Sequence, residues 1–389
     1  MQYYFRNKET KKVFSHDITS LKQLAELQRK YDMATPQERI AFIKGITAEQ
    51  EQKDKEERQY ASKNNLLNVY YMAPVKNDDG YGTTAKNIKA LAVQEGVYFD
   101  LKADSQKIGL CYHLPNTLQL VKTPVKIAYT MFETTKYPAF WEPYLKSADL
   151  VIVPTQFCAD TMHATFGIMP EVVPLGYNPE AFYYLERKQK EVFTFLHYDA
   201  FKWRKGWDIL FNAFNAEFGE KDGEQDVRLI LKTTLSFTPP LHEYPKIKVI
   251  KGRIPQGEMM DIMRQADCFA FPTRGEGFGL TPLEAMATGM RAIVPNHSGM
   301  SHYWHKDYCY NLETNEVRAK YDNIELRGLE LGNYWEPTVE STRRALRQAY
   351  NDWKAGHYYD NQKDIAEYCK QFTIQATTKK LCAILKRFV

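Results

Sequence analysis

The sequence predicts an α/β protein with two doubly wound, Rossmann-like domains that face a cleft, preceded by a helical extension. Its 389 residues, 44% of them hydrophobic, are enough for two such domains and one further segment. From residue 67 onward, short apolar runs alternate with helix-like segments, as is typical of parallel sheets covered by helices on both faces. The alternation stops at a linker and then starts again, which indicates a second domain of the same class.

The extension covers residues 1–66, which hold thirteen Lys/Arg and ten Asp/Glu and a charged run, AEQEQKDKEERQYASK. The segment YYFRNKETKKVF predicts a small hairpin around a polar turn, and SLKQLAELQRKYD predicts a helix. A second helix is expected over TPQERIAFIKGI, with Thr35 as its cap, Pro36 in its first turn and Glu38 reaching back to the cap.

The first Rossmann-like domain is expected over residues 67–185. Its predicted strands are LLNVYYMAP, KIGLCYH, VKIAYTM and LVIVPT, and its predicted helices are TTAKNIKALAVQEG, PAFWEPYLKSA and QFCADTMHATFG. The stretch EVVPLGYNPEAFYYLERKQKE is interpreted as the linker that follows.

The second domain is expected over residues 186–360. Its predicted strands are VFTFLHY, VRLILKT, IKVIKGRI, CFAFPT and RAIVPN, and its predicted helices are GWDILFNAFNAEF, QGEMMDIMRQAD and TPLEAMATG. A helical segment over residues 361–389 is expected to pack back on the first domain. Because ligands of open parallel sheets bind at the carboxyl ends of the strands, the loops after each strand are where functional residues are expected.

Composition argues against several classes of protein. The net charge of +4 is too small by itself to indicate nucleic-acid binding. No run of eighteen apolar residues predicts a membrane span, and the first residues lack the apolar core of a signal peptide. The six cysteines form no Cys-x-x-Cys pair, and the chain has no Asp-x-Asp. We therefore expect a cytoplasmic protein, without a bound metal.

Two glutamates eight positions apart, Glu276 and Glu284, stand on either side of a predicted helix start in GEGFGLTPLEAMATG. The glycines allow close approach of the backbone to a ligand, and free amides at a helix N-terminus favour a phosphate group. Carboxylates on both sides of such a site are suited to accept hydrogen bonds from hydroxyls of a sugar and a ribose. For Glu284 a purely structural role remains open, since Thr281-Pro-Leu-Glu284 has the spacing of a capping box.

This segment resembles the Glu-x7-Glu motif of family-4-type retaining glycosyltransferases, which have the GT-B fold. The resemblance implies that Glu276 holds the transferred sugar and Glu284 the nucleotide ribose. It also implies that backbone groups around the helix start bind the sugar and the diphosphate, namely those of Phe278, Gly279, Leu280 and Thr281. The resemblance extends over about residues 67–350, through VYYMAPVKNDDGYGTTAKNIKAL, KSADLVIVPTQFCADTMHATFG, EVVPLGYNPEAF and NYWEPTVESTRRALRQAY. It makes the first domain the acceptor domain and the second the nucleotide-sugar domain.

Two cations, Arg204 and Lys205, follow the first strand of the second domain in HYDAFKWRKG. Two positive charges there suit a diphosphate leaving group. A solvated basic loop is the alternative. The pair is similar to the family's basic element, which implies diphosphate binding, although the Gly-Arg that often precedes the family's lysine is missing here.

In the first domain, His113 follows a strand within HLPN, which resembles the family's His-x-Pro-Asn, whose histidine contacts the donor sugar. A structural role for His113 is the alternative. Glu133, in YTMFETT, is either an acceptor contact or an ordinary carboxylate at the rim of the cleft. Gly80 and Gly82, in NDDGYGTT, lie where the family has a glycine loop that closes over the diphosphate and sugar.

Three further residues are weaker candidates. Arg253 follows the strand IKVIKG and is placed near the nucleotide base. His297 and His302 flank a glycine loop in NHSGMSHYW. They are expected either to line the pocket or to serve solubility alone.

The resulting prediction is a retaining hexosyl- or pentosyltransferase in which Glu276, His113 and Lys205 are the catalytic residues. The donor is a UDP-sugar or, second, a GDP-sugar, with no other cofactor, and the acceptor is a saccharide or glycoconjugate. A second hypothesis is a viral-type enzyme that glycosylates a hydroxymethylated base in DNA in a host cytoplasm, which requires phosphate contacts and base flipping. It is based on the N-terminal residues Tyr3, Tyr4, Phe5, Arg6, Lys8, Lys11 and Lys12. A third is a non-catalytic sugar-nucleotide-binding protein.

Overall fold

The computed structural model describes residues 2–17, 27–28, 31–77, 79–103, 105–220, 223–234, 244–321 and 325–389. The chain divides into two compact units, residues 1–66 and residues 67–389. Each unit is described by itself below.

The first unit is a small antiparallel sheet followed by one long helix. Its strands, β1 (Gln2–Asn7), β2 (Val13–Asp17) and β3 (Tyr31–Met33), lie in the order β2-β1-β3. The predicted hairpin is confirmed by the antiparallel pairing of β1 with β2. The helix predicted over SLKQLAELQRKYD lies mostly outside the described residues, and its last part is wrong because Tyr31–Met33 forms β3.

The long helix α1 (Pro36–Lys63) begins as predicted. The Thr35 hydroxyl accepts a hydrogen bond from the amide of Glu38 at 3.2 Å, and the Glu38 carboxylate accepts one from the amide of Thr35 at 2.8 Å. This reciprocal capping box satisfies two backbone donors that the first turn leaves free. The helix continues through the charged run because Glu, Lys, Gln and Ala are all good helix formers.

Residues 67–389 begin with a six-stranded parallel sheet. The strands are β4 (Leu67–Met72), β5 (Val97–Asp100), β6 (Ile108–Tyr112), β7 (Val125–Tyr129), β8 (Leu150–Val153) and β9 (Glu171–Val172), in the order β5-β4-β6-β7-β8-β9. Strand β5 was not predicted, and β9 lies in the segment that was interpreted as the linker. Helices α2 (Gly80–Ala92), α3 (Glu142–Lys146) and α4 (Gln156–Phe166) connect the strands. The strand order reverses between β4 and β6, so their carboxyl ends form the crevice where open sheets bind ligands.

A second six-stranded parallel sheet follows. It contains β10 (Phe193–Tyr198), β11 (Val227–Thr233), β12 (Ile247–Lys251), β13 (Cys268–Ala270), β14 (Arg291–Ile293) and β15 (Cys309–Tyr310), in the order β12-β11-β10-β13-β14-β15. Its helices are α5 (Trp207–Phe218), α6 (Gln256–Gln265), α7 (Leu280–Ala287) and α8 (Val339–Lys354). The order reverses between β10 and β13. The loops that carry Arg204, Lys205 and Glu276 follow these two strands. Two doubly wound domains are therefore present, as predicted.

A β-hairpin that the sequence did not predict extends from the second domain onto the first. Its strands are β16 (Thr314–Arg318) and β17 (Asn333–Pro337), which pair antiparallel. Tyr321, between them, stacks on Phe132 of the first domain with ring centroids 5.5 Å apart. The amide of Asn333 donates a hydrogen bond to the hydroxyl of Thr135 at 2.7 Å. The hairpin therefore ties the two domains together beside the cleft.

The chain ends in two further helices, α9 (Gln362–Cys369) and α10 (Ile374–Leu385). Helix α9 packs on α7 of the second domain, whereas α10 packs on α2 of the first. None of the helices in the described part of the chain combines the length and the apolar content that a membrane span requires.

The segment between the domains is anchored by a buried arginine, Arg187. Its guanidinium donates to the carbonyl oxygens of Ala266 at 2.8 Å and Met263 at 3.0 Å, and to the Thr288 hydroxyl at 2.9 Å. These acceptors lie at the C-terminal ends of α6 and α7, where the helix dipoles favour a positive charge. Burial lowers the pKa of Arg187 to about 10, so it stays charged at neutral pH.

Replacing Arg187 with methionine is expected to lower the free energy of unfolding by about 3–5 kcal/mol, because several buried carbonyl oxygens lose their donor. Urea denaturation measures the effect. The matched control is Lys188→Met, next in the chain and exposed, which should change stability by no more than about 0.5 kcal/mol. Equal stabilities of the two variants would contradict the anchoring role.

Candidate active site

The loop between β13 and α7 brings the predicted motif to the reversal point of the second sheet. Helix α7 begins at Leu280, and its N-cap is Gly279, with φ of 85°. A side chain at Gly279 would be strained at this φ, and its Cβ would lie 2.9 Å from the hydroxyl of Tyr303. Among the residues that the structure describes, no side chain caps the helix start. Its first amides therefore remain available to an anionic ligand.

The capping box considered for Thr281 and Glu284 is wrong. Because the helix starts at Leu280, Thr281 lies inside it, and Glu284 lies past its first turn. Glu284 instead accepts a hydrogen bond from the hydroxyl of Tyr198, at the end of β10, at 2.6 Å. Burial raises the pKa of Glu284 to about 7, against the opposing effect of this hydrogen bond.

Glu276 is buried, with 7% of its surface exposed, and is held by two cations. Its Oε1 lies 2.8 Å from Nη1 of Arg204 and 2.9 Å from Nζ of Lys205. Burial by itself would raise the pKa of Glu276, but the charges of Arg204 and Lys205 outweigh it and hold that pKa below its ordinary value. The carboxylate is therefore ionised at neutral pH.

Arg204 and Lys205 lie together in the 3-10 turn Trp203–Lys205. Nη2 of Arg204 contacts Glu133 of the first domain at 3.1 Å, and Nζ of Lys205 contacts Asp199 at 2.8 Å. For each cation, burial lowers the pKa, but the neighbouring carboxylates prevail and raise it. The solvated basic loop considered from sequence is wrong, since both side chains are mostly buried and paired.

The loop around Glu276 is also in close contact with the first domain. The Thr155 hydroxyl, at the start of α4, donates to the carbonyl oxygen of Gly277 at 3.1 Å. A Cβ at Gly277 would lie 2.7 Å from the side chain of Met131. Any larger residue would therefore require Met131 or the backbone around Gly277 to shift.

The first-domain candidates lie at the carboxyl ends of β4 and β6. Gly80 and Gly82 belong to the first turn of α2, and the amide of Gly82 donates to the N-cap side chain of Asp79 at 2.8 Å. The prediction of a glycine loop before the helix is therefore wrong in detail. Tyr81 lies between the two glycines. Burial raises its pKa, the charge of Glu133 raises it further, and the charge of Arg204 lowers it. The start of α2 is thus within electrostatic reach of Arg204.

His113 directly follows β6, and no hydrogen-bond partner of its buried Nδ1 is found among the described residues. Burial lowers its pKa, with an opposing effect of Asp79. His113 is therefore a neutral imidazole at neutral pH. A neutral imidazole can donate from one ring nitrogen and accept at the other.

The remaining candidates differ in their surroundings. His297 stacks on Trp335, and burial lowers its pKa to about 4. His302 lies against Phe278, with ring centroids 6.1 Å apart, and burial together with Lys380 lowers its pKa. Phe278 is buried, whereas Leu280 and Thr281 are partly buried. Arg253 is exposed beyond β12, an edge strand.

Four residues of this site were missed by sequence reasoning: Tyr198, Asp199, Thr155 and Tyr321. Tyr198 and Asp199 end the apolar run of β10, and that position is a signal that could have identified them. Thr155 lies at the end of a strand in the same way. Tyr321 offered no such signal, because it lies in the hairpin that the sequence did not predict. Its hydroxyl donates to Glu133 at 2.8 Å.

Residues 245–321 match the model of the family described as Glycosyl transferases group 1. The chain is 25% identical over 213 residues to a putative glycosyltransferase 45 of Sulfolobus islandicus filamentous virus, with 53% of this chain and 57% of that protein covered. It is 27% identical over 180 residues to mannosylfructose-phosphate synthase of Agrobacterium fabrum, with 40% of this chain and 39% of that protein covered. The matches thus span about half, or less, of these relatives.

Solved structures of similar shape agree on the fold. A glycosyltransferase from Rickettsia africae superposes with a TM-score of 0.61 at 12% identity, covering 83% of this chain and 99% of its own. HepE of Anabaena in complex with UDP-glucose gives a TM-score of 0.59 at 11% identity, and the match covers 82% of this chain and 99% of HepE. The chain therefore has the GT-B fold and is similar to group 1 glycosyltransferases.

Proposed function

We propose that this protein transfers a sugar from a nucleoside diphosphate sugar to an acceptor hydroxyl, with retention of the anomeric configuration. The observation that carries the proposal is the contact of Glu276 with both Arg204 and Lys205, beside an uncapped helix start. This arrangement puts positive charge, free amides and a buried carboxylate within one loop cluster at the reversal point of the sheet.

In the proposed complex, the diphosphate lies against Lys205, Arg204 and the amides at the start of α7. Its oxygens take over part of the contact that these cations make with Glu276 in this structure. Glu276 then accepts hydrogen bonds from the sugar and stabilises the positive charge that develops on it as the leaving group departs. Neutral His113 orients the sugar from the first domain.

Retention follows if the acceptor attacks on the face that the diphosphate leaves, with a phosphate oxygen taking the proton of the acceptor hydroxyl. The step forms one glycosidic bond and breaks the bond between the sugar and the phosphate. It requires no nucleophilic side chain. Nuclear magnetic resonance of the product tests this point: an α-linked donor must give an α-linked product, and a β-linked product would contradict it.

UDP-sugars are proposed as donors first and GDP-sugars second, because the HepE structures of Anabaena contain UDP-glucose or UDP and glucose. A thermal-shift screen of UDP-, GDP-, ADP- and CDP-sugars tests this choice. At a concentration of about one hundred times its Kd, the true donor stabilises the folded protein by about 2.7 kcal/mol, which raises Tm by several degrees. If none of the four raises Tm, the proposed function is contradicted.

A saccharide or glycoconjugate is proposed as the acceptor. The DNA hypothesis has less support from the N-terminal unit than its sequence suggested. Phe5 is fully buried there, and Arg6 pairs with Glu38 at 2.8 Å and with Asp32 at 3.5 Å. A duplex-DNA affinity that falls steeply with salt would revive the hypothesis. Binding of a nucleotide sugar without transfer or hydrolysis would instead favour a non-catalytic protein.

A further inference from the structure

Tyr198 ends β10 and places its hydroxyl between two acceptors. The hydroxyl oxygen lies 2.6 Å from Oε2 of Glu284 and 3.0 Å from the carbonyl oxygen of Thr281. A tyrosine hydroxyl has one proton and can donate to only one of them. When Glu284 is ionised, this proton goes to its carboxylate; when Glu284 is protonated, its carboxyl group donates to the tyrosine oxygen instead. The tyrosine proton then goes to Thr281.

Burial and charge around Glu284 favour its protonated form. Burial raises the pKa of Glu284 to about 7, and the negative charge of Asp199 adds to the effect, while the hydrogen bond from Tyr198 opposes it. Tyr303 is a further titratable neighbour, whose own pKa is raised by burial and by several groups, of which Glu284 is one. Among the described residues, the side chains that displace the pKa of Glu284 are Tyr198 and Asp199, and neither is a cation.

We propose that Tyr198 is a positioning residue for Glu284, and that binding of the donor's ribose releases a proton from this pair to solvent. This inference rests on the proposed function and on the role that the Glu-x7-Glu resemblance implies for Glu284, which is to accept hydrogen bonds from the donor's ribose. The two ribose hydroxyls are hydrogen-bond donors, and an ionised carboxylate accepts from both, whereas a carboxylic acid uses one oxygen as a donor itself. The O–H bond of the Glu284 carboxyl breaks, its proton goes to buffer, and two hydroxyl–carboxylate hydrogen bonds form.

Other site groups with a displaced pKa are not expected to change charge near pH 7. The pKa of Glu276 is lowered, and those of Arg204 and Lys205 are raised, so these three stay ionised. The pKa values of the candidate histidines are lowered, so these side chains are neutral across most of the range; they are His113, His297 and His302. A proton released near pH 7 is therefore assigned to Glu284.

Isothermal titration calorimetry tests the inference with the nucleotide sugar that gives the largest shift in the four-member screen, UDP-glucose being the first probe. Such donors are diphosphate diesters with no proton to exchange between pH 6 and pH 8. Because only the ionised carboxyl accepts both hydroxyls, affinity should rise about tenfold from pH 6 to pH 8. At pH 7, titrations in two buffers of different ionisation enthalpy should show about half a proton released per donor bound.

Two variants separate positioning from mere packing. Glu284→Gln should bind more weakly, with an affinity that no longer changes with pH. Tyr198→Phe keeps the ring against Phe269, where the centroids are 5.2 Å apart, and removes only the hydroxyl. Because that hydroxyl lowers the pKa of Glu284, its loss should move the midpoint of the pH dependence upward. A structural role alone would lower Tm and leave the midpoint unchanged.

The outcomes distinguish this inference from the proposed function. Failure of all four nucleotide sugars to bind at every pH would contradict the proposed function itself. Binding with an affinity that is flat from pH 6 to pH 8, or without proton release, would overturn the role of the Tyr198–Glu284 pair and leave sugar transfer intact.

Discussion

Replacing Glu276 with glutamine is expected to lower sugar transfer by about 100- to 1,000-fold while nucleotide binding is retained or becomes tighter. Glutamine keeps the shape of the side chain but cannot supply the negative charge that stabilises the developing positive charge on the sugar. In the folded protein, Glu276 competes for Arg204 and Lys205, at 2.8 and 2.9 Å. Removing its charge frees both cations for the diphosphate. Steady-state kinetics and calorimetry with UDP measure the two effects.

The matched control is Glu217→Gln. Glu217, in α5, also contacts two cations, Arg343 at 3.0 Å and Arg347 at 2.5 Å, but it does not lie at the strand ends of the site. This variant should keep full turnover. Normal turnover of Glu276→Gln, or loss of its nucleotide binding in a folded protein, would show that the assigned role is incorrect.

Replacing Lys205 with methionine is expected to weaken nucleotide-sugar binding by about 100-fold or more and to destabilise the protein by about 3–5 kcal/mol at neutral pH. Its ammonium group is the partner of Asp199 and, with Arg204, of Glu276. In the wild type the charges of Arg204 and Lys205 lower the pKa of Glu276 below its ordinary value of 4.5. This lowered pKa stabilises the folded protein above about pH 4.5, and the stabilisation is lost as the pH falls further. Without Lys205, burial of Glu276 is less well compensated. The stability deficit should therefore shrink below about pH 4.5, as urea denaturation at several pH values will measure.

Lys190→Met is the control for this prediction. Lys190 also pairs with a buried carboxylate, Asp267, at 2.9 Å, but Asp267 precedes β13 and lies at the opposite end of the strand from the site. This variant should lose stability and keep its affinity for the nucleotide sugar. If both lysine variants bind equally well, Lys205 is not a diphosphate ligand.

Much of the site could be predicted because its residues follow strands. Arg204, Lys205, Glu276 and His113 each come soon after an apolar run, and apolar runs are visible in the sequence. In a parallel sheet these ends lie on one edge. The reversal of strand order between β10 and β13 then brings the first three side chains into contact.

Sequence patterns for helix capping were less reliable where a glycine with positive φ sets the start of the helix. Thr281 and Glu284 have the spacing of a capping box, yet the helix begins before Thr281. Gly279, with φ of 85°, is the N-cap, so the helix starts two residues earlier than that pattern requires. The carboxylate of Glu284 therefore does not cap the helix and instead contacts the hydroxyl of Tyr198.

By itself, the sequence determined the two parallel sheets and the residues that stand at their carboxyl ends, because hydrophobic periodicity is a property of neighbouring residues. Only the tertiary structure decided which of these residues act on one another, as in the contacts of Arg204 with Glu133 and of Tyr198 with Glu284. Hydrogen bonds and ion pairs depend on distances of a few ångströms between side chains that are about 70 to 90 positions apart in the chain. Such distances are set by strand order and packing, which no short stretch of sequence contains.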